Sequence, residues 1–177
     1  MLSTVCPKPL RIAGIQRDSI VDGPGIRYVI FTQGCPHHCE GCHNPQTHDF
    51  EAGKVADTDA ILKEIFESRL VSGVTFSGGE PFCQAEALVP LAEAIKAKNK
   101  HLMIYTGYLL EELQKMPNNH VQRLLELTDI LVDGPFVLAQ RNLTLPYRGS
   151  ENQRVIDMAK TRNLGKVVLY QSEYDLL

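Results

Sequence analysis

The sequence predicts an α/β fold on a mainly parallel sheet, either an incomplete barrel of about five or six strand–helix units or an open curved sheet. Three observations carry this expectation. Short runs rich in β-branched and aromatic residues alternate with amphipathic helical patterns, and parallel neighbours require such crossover connections. The 177 residues fall short of the ~250 typical of a closed eight-unit barrel. At roughly 30 residues per unit they accommodate a partial one. In either architecture ligands sit at the carboxyl ends of the strands.

The elements follow in order. Residues 27–32, RYVIFT, form the first strong strand. Asp57-Thr58 caps a helix whose Ile61, Leu62, Ile65 and Phe66 share one face. Residues 73–77 are the next strand, followed by a helix with Leu88, Leu91, Ala92 and Ile95 at i, i+3, i+4, i+7. A strand over 101–105 precedes helical segments around 109–115 and 121–127, then a strand over 129–132. A helical pattern over 155–160 leads to a last strand over 166–170.

Composition is that of an ordinary globular protein, 44% hydrophobic and 22% charged. With no repeat, low-complexity tract or linker, one domain spanning 1–177 is expected. A net charge of −3 gives no electrostatic footprint for nucleic acid. No stretch approaches the ~20 apolar residues of a membrane span. Residues 1–9 read as a flexible segment without an apolar signal region. The expectation is a cytoplasmic protein with no nucleic-acid or membrane partner. Five cysteines, an odd number, suit no complete disulfide framework. Three of them cluster.

That cluster lies in Gly34-Cys35-Pro36-His37-His38-Cys39-Glu40-Gly41-Cys42-His43-Asn44-Pro45. The spacing C-x3-C-x2-C lets a tight loop present three sulfurs to one soft centre. His37, His38, His43 and His48 crowd the same region. Two readings stand. A histidine completes a Cys3His structural zinc site, or the three thiolates hold a 4Fe–4S cluster and leave one iron without a protein ligand. Spacing alone does not separate them.

At the end of the following strand stands Ser77-Gly78-Gly79-Glu80-Pro81. Two glycines allow close backbone approach to a ligand, and the proline stops the strand. Amides there suit a carboxylate and Glu80 suits an ammonium, the two ends of a free amino acid; alone, the segment is a turn. Beside the cysteine loop, these residues resemble the radical S-adenosylmethionine (SAM) superfamily, whose hallmark is C-x3-C-x2-C followed by a GGE-type motif. Asp22-Gly23-Pro24-Gly25-Ile26-Arg27, otherwise a tight turn into a strand, resembles the opening of glycyl-radical-enzyme activases. Tyr105-Thr106-Gly107-Tyr108, Leu131-Val132-Asp133-Gly134-Pro135-Phe136 and Arg148-Gly149-Ser150-Glu151-Asn152-Gln153-Arg154 resemble the branch serving anaerobic ribonucleoside-triphosphate reductase.

The resemblance implies that Cys35, Cys39 and Cys42 bind a 4Fe–4S cluster with one open iron, chelated by the methionine part of SAM. Gly78, Gly79 and Glu80 would meet the amino-acid end, with Glu80 on the ammonium. Many members place an aromatic residue before the third cysteine; here it is Gly41, so Gly41 backbone or the His43 ring beyond Cys42 would contact the nucleoside. Thr106 would line the nucleoside pocket, or start a helix; Asp133 would face SAM, or cap a turn. No catalytic residue is implied beyond the cluster and SAM. One electron would cleave SAM to methionine and a 5′-deoxyadenosyl radical, which takes hydrogen from a glycine Cα of anaerobic ribonucleoside-triphosphate reductase. A flavodoxin or ferredoxin would supply the electron.

Two rival functions remain. One is an activase of another glycyl radical enzyme, such as pyruvate formate-lyase. The other, a non-catalytic zinc-binding module, leaves the GGEP, DGPG and RGS-x-NQR segments without a role. Cys6 and Cys83 read as incidental thiols. Arg148 and Arg154 read as solvated surface, or as contacts of a partner carboxylate or of the SAM carboxylate, and His101 and His120 as structural.

Replacing Cys35, Cys39 or Cys42 singly by Ala is expected to abolish SAM cleavage and leave the sheet folded, because the loop lies outside the apolar core. Counting 5′-deoxyadenosine and recording far-UV circular dichroism check this. Full cleavage in any one variant contradicts the ligand assignment.

Overall fold

The computed structural model describes residues 8–171. Cys6 and residues 1–7 of the segment expected to be flexible lie outside the described residues. The strands are β1 (Arg11–Ser19), β2 (Arg27–Thr32), β3 (Lys54–Val55), β4 (Gly73–Gly78), β5 (His101–Tyr105), β6 (Ile130–Asp133) and β7 (Arg154–Asp157). They form one sheet in the order β3-β1-β2-β4-β5-β6-β7. Its central block β2-β4-β5-β6 is parallel, and both flanks are antiparallel. The fold is thus mixed α/β around a parallel centre.

Helices α1 (Thr58–Glu67), α2 (Ala85–Ala97), α3 (Leu110–Leu113), α4 (Asn119–Leu127) and α5 (Met158–Leu164) complete the chain. Asp57 caps α1 by accepting from Ala60 N at 3.0 Å, as the Asp57-Thr58 pair suggests. Asn118 caps α4 by accepting from His120 N at 2.9 Å. Leu88, Leu91, Ala92 and Ile95 are all buried, so the helical period of α2 is the face it presents to the sheet.

The expected number of strand–helix units is corrected: the parallel strands number four among the described residues. β1 escapes a pattern search because it is largely solvent-facing and irregular, with register shifts at Ile12/Gly14 and Gln16/Ser19. Residues 155–157 are strand rather than helix. Val155 and Ile156 pair with Val132 and Leu131, and α5 starts only at Met158. An adjacent β-branched pair fits either period, and tertiary pairing decides. The expected strand at 166–170 reduces to a single bridge, Ile156 to Leu169.

Alternation along the strands divides the sheet into two unlike faces. Tyr28, Ile30, Val74, Phe76, Leu102, Ile104, Leu131 and Ile156 point into the large core under the helices. On the other face Met103, Ile130, Val132 and Val155 form a small cluster, and Arg27 and Thr75 are buried beside it. The Arg27 Nε donates to Thr75 Oγ1 at 3.0 Å, and Thr75 Oγ1 donates to Asp22 O at 2.7 Å. This relay fastens the 20–26 turn to the sheet. Gly73 makes room for it, since a Cβ there would lie 2.1 Å from Arg27 Nη1. Among the described residues, no helix is long and apolar enough to cross a membrane.

Arg27 Nη1 also lies 3.2 Å from His101 Nδ1. Burial first, and the Arg27 charge second, lower the His101 imidazole to about 4, so the folded protein keeps it neutral. The unfolded chain takes up a proton near the usual value of about 6.5. His101's contribution to stability is therefore complete above about pH 6.5 and is lost as the pH falls towards 4. The stability difference between wild type and His101→Gln should shift by at most about 1 kcal/mol per pH unit across that window, allowing for partial solvent screening. Urea titrations at stepped pH measure it. A difference independent of pH contradicts the assignment.

Candidate active site

β2 and β4 pair in parallel from Arg27↔Gly73 to Thr32↔Gly78, and the pairing continues past the strand ends. Gly79 N donates to Thr32 O and Glu80 N to Gly34 O, each at 2.8 Å. The two motifs are therefore laid side by side by sheet hydrogen bonds. At Gly79 a Cβ would lie 2.5 Å from the Gly34 carbonyl oxygen, so this glycine is required by the opposing backbone.

The cysteine loop rises from that edge. Its base is fixed by Gly34 N to Thr47 O at 2.8 Å and Cys35 N to His48 O at 3.1 Å. Gln33 Nε2 donates to Gln46 O at 3.1 Å and to Asp49 O at 2.6 Å. The tip folds on itself through Cys42 N to Cys39 O at 3.2 Å. It turns at Gly41 (φ +71°) and at His38 (φ +47°); at Gly41 the left-handed backbone favours a residue without Cβ. Cys35, Cys39 and Cys42 are all free thiols. Burial is the main cause raising the Cys35 thiol, and Asn44 N donates to Cys42 Sγ at 3.4 Å.

A cavity of about 470 Å³ opens at the carboxyl ends of the parallel strands. Cys35, Cys39, Cys42 and His43 line one side, and Gly78, Gly79 and Thr106 line another. Sequence reasoning missed the third wall. It comes from the long connection between β6 and β7, including Phe136, Leu145 and Gly149. The LVDGPF and RGS-x-NQR resemblances marked its two ends, and residues 137–147 between them carried no signal. The ring centroids of His43 and Phe136 are 4.9 Å apart.

Three expected contacts are placed otherwise. Gly41 does not line the cavity; a Cβ there would meet Leu138 Cδ1 at 2.9 Å. Of the two nucleoside candidates, His43 is the one on the wall. Asp133 is buried and accepts from Leu110 N at 2.8 Å and Arg154 Nε at 2.9 Å. Arg154 is also held by Glu111 Oε2 at 2.7 Å, and its hydrogen bonds to Asp133, then Glu111, raise its pKa. Asp133 thus closes the β6–β7 junction instead of facing the cavity. Glu80 is fully buried behind the wall, with both oxygens accepting hydrogen bonds from protein groups.

Arg148 lines the cavity. Its Nη1 donates to Gln153 O at 2.7 Å, and its buried Nε has no hydrogen-bond partner. Cys83 lies outside this cavity's lining and is exposed, but partial desolvation first, and the Glu80 charge second, push its thiol up to about 11, which disfavours the reactive thiolate.

Among the described residues, no three His, Cys, Asp or Glu side chains converge closely enough to hold one metal ion. The three thiols line one wall of the cavity. Three soft donors at C-x3-C-x2-C spacing fit a 4Fe–4S centre in which each sulfur takes its own iron and one iron is left without a protein ligand.

The pattern of the 4Fe-4S single cluster domain family matches residues 21–156. An anaerobic ribonucleoside-triphosphate reductase-activating protein of Haemophilus influenzae is 34% identical over 142 residues, which cover 76% of this chain and 89% of that protein. A pyruvate formate-lyase-activating enzyme of Clostridium pasteurianum is 36% identical over 130 residues, covering 70% of this chain and 55% of that protein. Among solved structures, QueE from Escherichia coli overlaps 56% of this chain and 53% of its own, with TM-score 0.46 and 20% identity.

The contact at Gly79 sets a clear expectation. Gly79→Ala should cost about 1–3 kcal/mol, the range of overpacking against an unyielding neighbour. Gly14→Ala, where a Cβ meets nothing within 4 Å, should stay within about 0.5 kcal/mol. Urea midpoints of the two variants decide; equal midpoints would mean that the Gly34 backbone yields freely.

Proposed function

Because the chain belongs to the anaerobic ribonucleoside-triphosphate reductase-activating proteins and carries the 4Fe-4S single cluster domain, we propose that it generates the glycyl radical of that reductase, as a radical SAM oxidoreductase. The observation that carries this reading is the meeting of three free thiols and a glycine-lined strand end in one cavity. When bound, a 4Fe–4S cluster and SAM supply the one-electron chemistry by which hydrogen leaves a glycine Cα. The protein's work is placement.

In this reading Cys35, Cys39 and Cys42 hold the cluster. The wall of Gly78, Gly79 and Thr106 takes the methionine part of SAM, while Glu80 supports that wall from behind. His43, against Phe136, takes the nucleoside. Arg148 takes the SAM carboxylate: among the described residues it is the one Lys or Arg side chain on the cavity lining, and its Nε lacks a partner. Asp133 acts through Arg154, holding the third wall to the sheet. Lining residues run from Phe31 of β2 across to Gly134 after β6, which supports a sheet curved around the site as a partial barrel.

Val21 and Leu143 rim the cavity and are 71% and 72% exposed. An apolar rim around an open site suits a macromolecular substrate whose own surface supplies the missing wall. We place the reaction in the cytoplasm, in one domain over 1–177, with a flavodoxin or ferredoxin as electron donor. The similarity to a pyruvate formate-lyase-activating enzyme favours a second reading, activation of that other class of glycyl enzyme.

Anaerobic mixing with SAM, reductant and each glycyl enzyme separates the two. A glycine-centred doublet in paramagnetic resonance, with matching 5′-deoxyadenosine, is expected on the ribonucleotide reductase and not on pyruvate formate-lyase. A doublet on the latter alone overturns the partner. A protein that binds zinc and no SAM overturns the chemistry.

A further inference from the structure

His37 stands between two of the cysteines, and the mechanism above gives it no task. Its Nε2 lies 2.8 Å from Glu80 Oε2. Glu80 accepts from three further groups: Phe82 N at 3.0 Å, Thr106 Oγ1 at 3.0 Å and Gly107 N at 2.9 Å. A carboxylate removed from water is tolerable only when charge-assisted hydrogen bonds replace its hydration, and His37 is the donor that comes from the cysteine loop. The His37 ring also packs edge-on against Tyr108, with centroids 4.5 Å apart. Gly107 completes the seat, because a Cβ there would fall 2.4 Å from His37 Cδ2. Three segments, the loop tip, the end of β4 and the end of β5, thus meet at one buried carboxylate.

We propose that Glu80 and His37 are a positioning pair that docks the cysteine loop on the sheet before any cofactor arrives, so that Glu80 acts on the cysteines through His37 rather than on the ammonium of SAM. The inference rests on the reading that Cys35, Cys39 and Cys42 are the cluster ligands. The base of the loop is tied by backbone at Gly34 and Cys35, whereas the tip reaches the parallel strands through the His37 side chain. Ligands held in place by a supporting hydrogen bond spend little ordering entropy on binding.

The test reads the cluster-free, reduced full chain by amide hydrogen exchange over residues 35–43. His37→Phe keeps the ring against Tyr108 and removes the donor. Gly107→Ala keeps both partners and displaces the ring. Each should raise exchange across the loop by about tenfold, the worth of a hydrogen bond to a charged group, with 27–32 and 101–105 unchanged. His37→Gln, which restores an N–H, should recover most of the protection. Glu80→Gln should loosen the loop together with 106–108; if that variant fails to fold, the other three still decide.

SAM titration of the reconstituted proteins supplies the opposing outcome. Lost SAM affinity in Glu80→Gln, with loop exchange unchanged in all four variants, would overturn the pair and return Glu80 to the ammonium. Loop exchange in the cluster-free chain does not depend on iron, so failure of wild type to assemble a cluster would count against the ligand reading instead.

Discussion

β2 and β4 lie in register over six residue pairs, and two further backbone hydrogen bonds carry their pairing beyond the strand ends. Much of the rest depends on that extension. It sets Gly34 against Glu80, so the loop that begins at Cys35 starts beside the segment that caps the next strand. Parallel pairing makes this possible, because both strands end at the same edge of the sheet. The glycines follow from it. Gly79 has the Gly34 carbonyl where a side chain would be, and Gly78, at φ +91°, has the Phe31 backbone 2.7 Å from a Cβ position. Close approach of two backbones, rather than room for a ligand alone, accounts for the repeated glycine.

The ionic groups near the site share one design. Glu80 collects donors from three segments, Asp133 ties the N-terminus of α3 to β7 through Arg154, and Arg27 binds backbone carbonyls, Thr75 and the 20–26 turn. Each is buried or nearly so, and each joins elements distant in sequence. Such groups cost desolvation and repay it only in one arrangement. They act as fasteners for the loops, where the helices offer no apolar cover.

The central strands and the longer helices were legible in the sequence because a continuous β-branched run such as 27–32 and a helical repeat such as Leu88–Ile95 each have a single period. The flanks were not. β1 is neither alternating nor continuously apolar, and Val155-Ile156 reads as strand only beside Leu131 and Val132. In the site, residue types with fixed spacing were readable: the three cysteines, the two glycines and Thr106 reach one cavity. Direction was hidden. A carboxylate in a motif gives its place along the chain and not which way it points. Glu80 and Asp133 turn away from the cavity to satisfy backbone amides and their His37 and Arg154 partners. His37 was lost among four neighbouring histidines because its partner lies 43 positions away.

The two faces of the sheet have a consequence for how such a chain can change. Stability is drawn from alternate residues facing the helices, and the site's floor from the residues between them. Substitution on either side can proceed separately. Insertion within a central strand cannot, since a one-residue slip exchanges the faces. In β4 it would turn Thr75 towards the helices and Phe76 towards Arg27 and the 20–26 turn. Length variation is therefore confined to the connections, above all the 134–153 crossing, which furnishes a whole wall of the cavity without carrying a central strand. Lineages that diverge in partner can do so there, by lengthening one wall while the strands beneath keep their count.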